Sequence, residues 1–208
     1  MNLEKKRRFA LAVMLAIIGI FICAGYDAQI IQKVYSFKTP QLTEFFLIIN
    51  LISSNVLIIS VLTLLFLWKD KKRSWVLPAW ISIAASIFVS FILKISTQRL
   101  RPFQQGLVYL LPQLNDADFL TWNFSFPSFQ SALVFCTVPL IWKNFPKIRY
   151  LWVAFAILVA FSRIYFGLHF LSDVLSGALL GLVIGQAILL IEQENKFWQR
   201  TYDKLFRR

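Results

Sequence analysis

The chain of 208 residues is 58% hydrophobic and 15% charged, with a net charge of +12, two cysteines and one histidine. Soluble domains average about 45–50% apolar and about 25% charged residues, so this composition is typical of an integral membrane protein. Two cysteines exclude a secreted disulfide scaffold, and 21 phenylalanines with few charges exclude intrinsic disorder. One histidine argues against an ordinary zinc site, which needs several ligands, and we expect no metal.

Six apolar segments approach or reach the length that a bilayer crossing requires, about 20 residues with a range of about 17–25. They are residues 9–26, 45–68, 75–97, 128–142, 150–166 and 170–191. The fourth is short, but local thinning of a bilayer costs only fractions of a kcal/mol per Å. We predict an all-α fold, a bundle of six transmembrane helices forming one domain over residues 1–208.

The first segment follows four basic residues, as the apolar core of a signal peptide would. Its run of about 18 apolar residues is longer than that core usually is, and the residues after it make a poor cleavage site. We therefore expect it to be retained as a helix. With six spans, both termini then lie on the same side of the membrane.

Sixteen of the 22 basic residues lie on the side of the termini, in the N-terminal segment, the turns 69–74 and 143–149, and the C-terminal tail. Cytoplasmic loops hold such an excess of Lys and Arg. We predict cytoplasmic termini, a location in the inner or plasma membrane, and exterior loops at 27–44 and 98–127. Topology thus accounts for most of the charge and removes the main argument for nucleic acid as a partner. The six other basic residues are Lys33, Lys38, Lys94, Arg99, Arg101 and Arg163.

Three of these cations lie near the outer ends of predicted spans. Lys94 and Arg101 are seven residues apart, so they share a face if the third helix continues to Leu100 or beyond. Arg163 is near the outer end of the fifth helix. A Lys or Arg at the centre of a spanning helix costs about 2.5–3.5 kcal/mol, and such residues often mark functional sites. Snorkelling from a helix end would explain each one singly, but not three converging on one side.

His169 and Asp173 are four residues apart at the start of the sixth helix, so one helical face carries both. A carboxylate in this position can hold an imidazole in one tautomer for attack or proton transfer. A structural pair that satisfies polar groups at the interface is the alternative. Continuing by fours gives Gly177, Gly181 and Gly185, which favour either close packing of a neighbouring helix or a homo-oligomer contact.

Three cations with Ser128 at a predicted helix start form an anion site, for which a phosphate is a natural ligand. The order and spacing of three motifs now become informative. These are Lys94-(six residues)-Arg101-Pro102, Pro127-Ser128, and Ser162-Arg163-(five residues)-His169-(three residues)-Asp173. Over about residues 45–191, the pattern resembles the three-part signature of the type 2 phosphatidic acid phosphatase superfamily.

The resemblance implies a six-helix membrane phosphatase that acts on lipid phosphates or diphosphates without a metal or other cofactor. It also implies roles for individual residues. His169 would attack phosphorus and form a phosphohistidine, with Asp173 orienting the imidazole. The phosphoryl oxygens would be held by Lys94, Arg101, Ser128 and Arg163.

The second motif departs from the family pattern Pro-Ser-Gly-His, because Phe129 and Gln130 follow Ser128. Gln130 stands where the family has the histidine that protonates the leaving group. General acid catalysis is typically worth about 10²–10⁴ in rate. The group that leaves a diphosphate is a lipid phosphate, whose pKa is about 6 or below. The group that leaves a monoester is an alkoxide, whose conjugate acid has a pKa near that of water, about 15.7. We therefore predict a preference for diphosphates such as polyprenyl diphosphate.

Three alternatives stay open on the sequence. Asp116 or Asp118 could supply the missing proton, although solvated turn residues are the simpler interpretation. The phosphohistidine could pass its group to another lipid instead of water, giving a phosphotransferase. A protein that only binds lipid phosphates is the third alternative. Finally, the apolar segment 103–127 is either an interfacial lid or a loop packed over the bundle.

Overall fold

The computed structural model describes residues 3–68, 70–114 and 124–206, and in these ranges the chain is helical with connecting turns. A 3₁₀ helix at Asp70–Trp75 separates α4 from α5. The α-helices are α1 (Leu3–Ala24), α2 (Asp27–Ser36), α3 (Pro40–Ile52), α4 (Asn55–Leu67), α5 (Val76–Thr97), α6 (Phe129–Asn144), α7 (Arg149–Tyr165), α8 (Leu171–Asn195) and α9 (Phe197–Phe206).

Helix α6 lies at the centre of the bundle, with fully buried side chains at Leu133 and Leu140. It packs most closely on α8, where Gly177, Gly181 and Gly185 leave no side chain between the two backbones. A Cβ added at Gly177, Gly181 or Gly185 would lie 2.1–2.4 Å from a backbone oxygen of the α6 segment. The prediction of close packing below the His/Asp pair is confirmed. The glycines face α6 of the same chain, and the alternative of a homo-oligomer contact through them stays a prediction.

The second predicted span, 45–68, is not one helix. Helices α3 and α4 meet at an angle of 59° across a break at Ser53 and Ser54. The hydroxyl of Ser54 accepts a hydrogen bond from the Leu57 backbone N–H at 3.4 Å and so caps α4. Two adjacent serines favour such a cap over a continuous helix, because their side chains compete for backbone hydrogen bonds. The apolar composition of residues 45–68 did not indicate this break.

Among the residues that the structure describes, three helical segments are long and apolar enough to cross a membrane, namely Arg7–Ala24, Arg73–Thr97 and Leu171–Asn195. The bent pair α3 and α4 makes a fourth if it counts as one span. Helices α6 and α7, at 16 and 17 residues, are shorter. The all-α membrane architecture is therefore confirmed, whereas the number six remains a prediction.

Helix α5 ends at Thr97, where the predicted span 75–97 also ends. Gln98 adopts a left-handed conformation with φ 48°, and its N–H donates to the Lys94 carbonyl at 3.0 Å. Lys94 and Arg101 therefore do not lie on one continuous helix, so the condition for a shared helical face, a helix that continues to Leu100, is not met. The chain turns after Gln98 and brings Arg101 back beside the end of α5.

The segment after this turn packs over the bundle in its described part. Val108 and Leu114 are buried, and Val108 lies against the turn at Gly167, whose positive φ suits a residue without Cβ. Residues 115–123, which include the proton-donor candidates Asp116 and Asp118, lie outside the described residues. The hypothesis that residues 103–127 form an interfacial lid therefore stays a prediction.

Candidate active site

His169 lies in the short connection between α7 and α8 and is buried. Its Nδ1 atom is 2.7 Å from the carbonyl oxygen of Ser125. Because a carbonyl only accepts, this contact places the proton on Nδ1 and leaves Nε2 with a free electron pair. Burial, and next the Arg101 guanidinium, lower the pKa of the imidazole to about 3. The ring is therefore neutral at physiological pH, the state that a nucleophile requires.

Asp173 is fully buried behind the imidazole. Its carboxylate lies 3.8 Å from His169 Nδ1, which is too far for a hydrogen bond. It accepts instead from the Ser125 hydroxyl at 2.5 Å and from the Phe170 N–H at 2.8 Å. Asp173 is thus linked to the imidazole through Ser125, whose hydroxyl donates to Asp173 and whose carbonyl accepts from His169 Nδ1.

The three predicted cations meet at one cavity. Lys94, Arg101 and Arg163 line a space of about 440 Å³ together with His169 and Gln130. Each cation is no more than 8% exposed. Buried like charges repel one another, so this arrangement costs free energy unless an anion enters. The cavity is therefore built to receive a negatively charged group next to the open Nε2.

Protein oxygens hold each cation in place. Lys94 donates to the Phe124 carbonyl, and Arg101 Nη1 donates to the Leu168 carbonyl at 3.0 Å. Arg101 Nη1 also lies 3.5 Å from His169 Nε2. These contacts place a positive charge beside the nitrogen that would attack.

Arg163 is held from the break between α3 and α4. Its Nη2 donates to the Asn50 side-chain oxygen at 2.6 Å and to the Ser53 hydroxyl at 3.1 Å. Arg163 Nε is buried and has no hydrogen-bond partner within the described part of the chain. A buried N–H in this state costs about 1–3 kcal/mol, which an oxygen of a bound anion would offset.

The second motif is arranged differently from the expectation. The Ser128 hydroxyl caps α6, since it accepts from the Ser131 N–H at 3.5 Å and the Ser131 hydroxyl at 3.1 Å. The Ser128 N–H donates to the Asp173 carbonyl at 2.9 Å. Gln130 lines the cavity, and its amide nitrogen donates to the Ser53 carbonyl. Ser128 is thus engaged in helix capping, and its contact with phosphate stays a prediction.

Several site residues were not identified from the sequence. Arg99 forms ion pairs with Asp173 at 2.6 Å and with Asp27 at 2.7 Å. Asn50, Ser53 and Ser125 contact the predicted residues, as described above. A signal for the ion pairs was present, because Asp27 and Arg99 are charged residues immediately beyond apolar segments on the predicted outer side. Nothing in the sequence indicates which residues they pair with.

An open imidazole nitrogen beside three buried cations, in an apolar helical bundle, is suited to phosphoryl transfer within a membrane. The fold and the site together define an integral membrane phosphatase.

Sequence comparison then identifies the family: residues 75–197 match the model of the PAP2 superfamily, and the chain belongs to that superfamily. The resemblance drawn from the three motifs is confirmed. Phosphatases of this superfamily act without a metal ion, and the chain is a membrane lipid phosphatase. The undecaprenyl-diphosphatase BcrC of Bacillus subtilis (strain 168) is 29% identical over 139 residues, which are 64% of this chain and 68% of that protein.

Two solved structures share the fold. A transmembrane PAP2-type phosphatidylglycerolphosphate phosphatase from Bacillus subtilis has a TM-score of 0.67 and 21% identity, with 88% of this chain and 96% of that one covered. LpxE of Aquifex aeolicus has a TM-score of 0.63 and 25% identity, covering 79% of this chain and 94% of that one.

Proposed function

We propose that this protein hydrolyses a lipid diphosphate, such as a polyprenyl diphosphate, through a phosphohistidine formed on His169. The observation that carries the proposal is the cavity in which Nε2 of His169 lies 3.5 Å from Arg101 Nη1 and the unpartnered Nε of Arg163 is available to a phosphoryl oxygen. The similarity to an undecaprenyl-diphosphatase supports the same class of substrate.

In the first step, Nε2 forms a bond to the terminal phosphorus. The bond from that phosphorus to the bridging oxygen breaks, and its electron pair leaves with the lipid monophosphate. Lys94, Arg101 and Arg163 stabilise the charge on the phosphoryl oxygens, and the backbone N–H groups at the start of α6 add to the same field. The Ser125 carbonyl and the Asp173 carboxylate stabilise the positive charge that develops on the imidazole.

In the second step, water attacks the phosphohistidine. The nitrogen–phosphorus bond breaks, its electron pair returns to Nε2, and inorganic phosphate is released. The proton lost by water is taken up by the released phosphate groups, which titrate near pH 6. Each turnover thus consumes one water and yields a lipid monophosphate and phosphate.

The preference for a diphosphate follows from Gln130. Its amide has no proton that it can give to an alkoxide at neutral pH, and its nitrogen already donates to the Ser53 carbonyl. A departing lipid phosphate needs no such proton, since it is stable as an anion. The site is therefore better matched to cleavage of an anhydride than of a simple phosphate ester.

The proposed orientation follows from the basic residues and from six crossings, with the bent pair α3 and α4 counted as one. Both termini then lie in the cytoplasm, and the cavity opens at the exterior face of the plasma membrane, where the ends of α5 and α7 meet the starts of α6 and α8.

The test is phosphate release by the purified protein from a polyprenyl diphosphate and from a phosphatidate-type monoester of matched chain length. We expect the wild type to favour the diphosphate by about 10²-fold or more, because general acid catalysis contributes about 10²–10⁴ in rate. Gln130→His should raise monoester hydrolysis and narrow this ratio, and His169→Ala should abolish both activities. Equal rates on both substrates that Gln130→His leaves unchanged would refute the preference. Transfer of labelled phosphate to an added lipid instead of water would refute hydrolysis.

A further inference from the structure

Arg99 lies between two buried carboxylates next to the candidate nucleophile. Its Nη1 is 2.6 Å from Asp173 Oδ1 and its Nη2 is 2.7 Å from Asp27 Oδ2. The guanidinium also stacks over the Phe170 ring, with its carbon 4.2 Å from the ring centroid. The fork of an arginine can bridge two carboxylates in this way, which a lysine ammonium does with less geometric control.

Asp27 connects this arginine to the start of α8. Its Oδ1 accepts from the Ser172 N–H at 3.0 Å, and its Oδ2 accepts from the Ser172 hydroxyl. The Ser172 hydroxyl in turn accepts from Arg99 Nη1 at 2.8 Å. Asp27 is nearly fully buried, so its negative charge has to be stabilised by these partners. The first residue of α2 is thereby fixed to the helix that carries Asp173.

Arg99 also holds Ser125 through its backbone. The Arg99 carbonyl accepts from the Ser125 N–H at 2.7 Å. The Ser125 hydroxyl donates to Asp173 at 2.5 Å, and the Ser125 carbonyl accepts from His169 Nδ1 at 2.7 Å. Arg99 therefore fixes the residue that contacts the imidazole, directly through its backbone and indirectly through Asp173.

We propose that Arg99 and Asp27 are positioning residues for His169, which together hold Asp173 and Ser125 so that the imidazole keeps its proton on Nδ1 and its Nε2 open to the cavity. This inference rests on the proposed nucleophilic role of His169. Without Arg99, two buried carboxylates lose their shared cation, and Asp173 becomes the strongest nearby acceptor for the imidazole proton. The ring is then free to shift from the Ser125 carbonyl toward Asp173.

Steady-state kinetics on a polyprenyl diphosphate test this role with Arg99→Met, Asp27→Asn and the double variant. Lys33→Met is the matched control, because it removes the same charge from an exposed position on α2. We expect Arg99→Met to lower kcat about 10²-fold, the cost of a misplacement of about 1 Å, with KM changed less than twofold. Asp27→Asn should have a smaller effect. In the double variant it should add no loss, because Asp27 acts through Arg99.

A second measurement separates positioning from a merely structural link between α2 and α8. The chain has one histidine, so ¹⁵N-histidine labelling gives the ring signals of His169 alone. Arg99→Met and Arg99→Lys should shift the Nδ1 signal of the ring, because the Nδ1–H then moves from the Ser125 carbonyl toward the Asp173 carboxylate, and Lys33→Met should leave that signal unchanged. A fall in thermal stability with an unchanged Nδ1 signal and unchanged kcat would overturn the proposal.

These readouts keep the two proposals apart. A wild type that releases phosphate from no lipid, with an Nδ1 signal that still depends on Arg99, would sink the proposed function and leave the positioning role intact. Normal turnover lost in His169→Ala but unaffected by Arg99→Met and Asp27→Asn would sink the positioning role alone. If Arg99→Met does not fold, Asp27→Asn and Arg99→Lys supply the same comparison.

Discussion

His169 donates from Nδ1 to the carbonyl of Ser125 at 2.7 Å, although the carboxylate of Asp173 lies one helical turn away at 3.8 Å. A neutral acceptor thus contacts the imidazole, and the charged group acts from behind it. This order keeps the resting ring neutral and places the carboxylate where it stabilises the imidazolium formed on attack.

The first prediction concerns the protonation of this ring. Its pKa is lowered to about 3, so the imidazole should stay neutral with its proton on Nδ1 from pH 8 to pH 5. ¹⁵N-histidine spectra across this range measure it directly. In the unfolded chain, His169 takes up a proton near pH 6.5, whereas in the folded protein it does so only at much lower pH. The free energy of unfolding should therefore fall as the pH drops below about 6.5. Titration of the ring near pH 6.5 in the folded protein would contradict the prediction.

The second prediction concerns the contact between Arg163 and Asn50. Asn50→Ala removes the acceptor at 2.6 Å and leaves the guanidinium less fixed, so KM for an anionic lipid should rise severalfold. Asn50→Asp should be worse, by about tenfold or more in kcat/KM, because a carboxylate at that distance neutralises the cation that the substrate needs. Phosphate-release kinetics compare the two variants. Equal effects of both would show that the charge of Arg163 is not used in binding.

The third prediction concerns anion binding in the cavity. Inorganic phosphate should raise the melting temperature of the detergent-solubilised protein, because a ligand of the folded state stabilises it by about 2.7 kcal/mol at a hundred times its Kd. Arg101→Gln should remove most of this shift. Arg149→Gln, which changes a cation at the opposite end of α7 from the cavity residue Arg163, should retain it. An equal loss of the melting-temperature shift in both variants would indicate that phosphate acts by non-specific screening of charge.

The fourth prediction concerns the contact between α6 and α8. A Cβ at Gly185 would lie 2.1 Å from the Cys136 carbonyl oxygen, so Gly185→Ala should destabilise the protein by about 1–3 kcal/mol, as overpacking usually does. Gly19→Ala is the matched control, since a Cβ there meets nothing within 4 Å. It should leave stability unchanged or raise it slightly, because alanine favours a helix. Thermal unfolding in detergent distinguishes the two, and equal melting temperatures would rule out the close packing.

Much of the protein follows from the sequence by itself. Apolar length and sparse charge determine a helical membrane protein, and the placement of Lys and Arg predicts its orientation. The spacing of Lys94, Arg101, Arg163 and His169 identified both the family and a cluster of residues that the structure brings to one cavity. These features are readable because hydrophobicity and motif spacing are local properties of the chain.

Only the tertiary structure decided which groups contact one another. The break at Ser53 and the position of Ser125 between Asp173 and His169 each depend on hydrogen bonds that a periodic pattern does not contain. Asp27 and Arg99 are 72 residues apart, and their pairing follows from the packing of α2 beside α8. A buried charge needs a partner, but the chain can supply it from any distance in sequence.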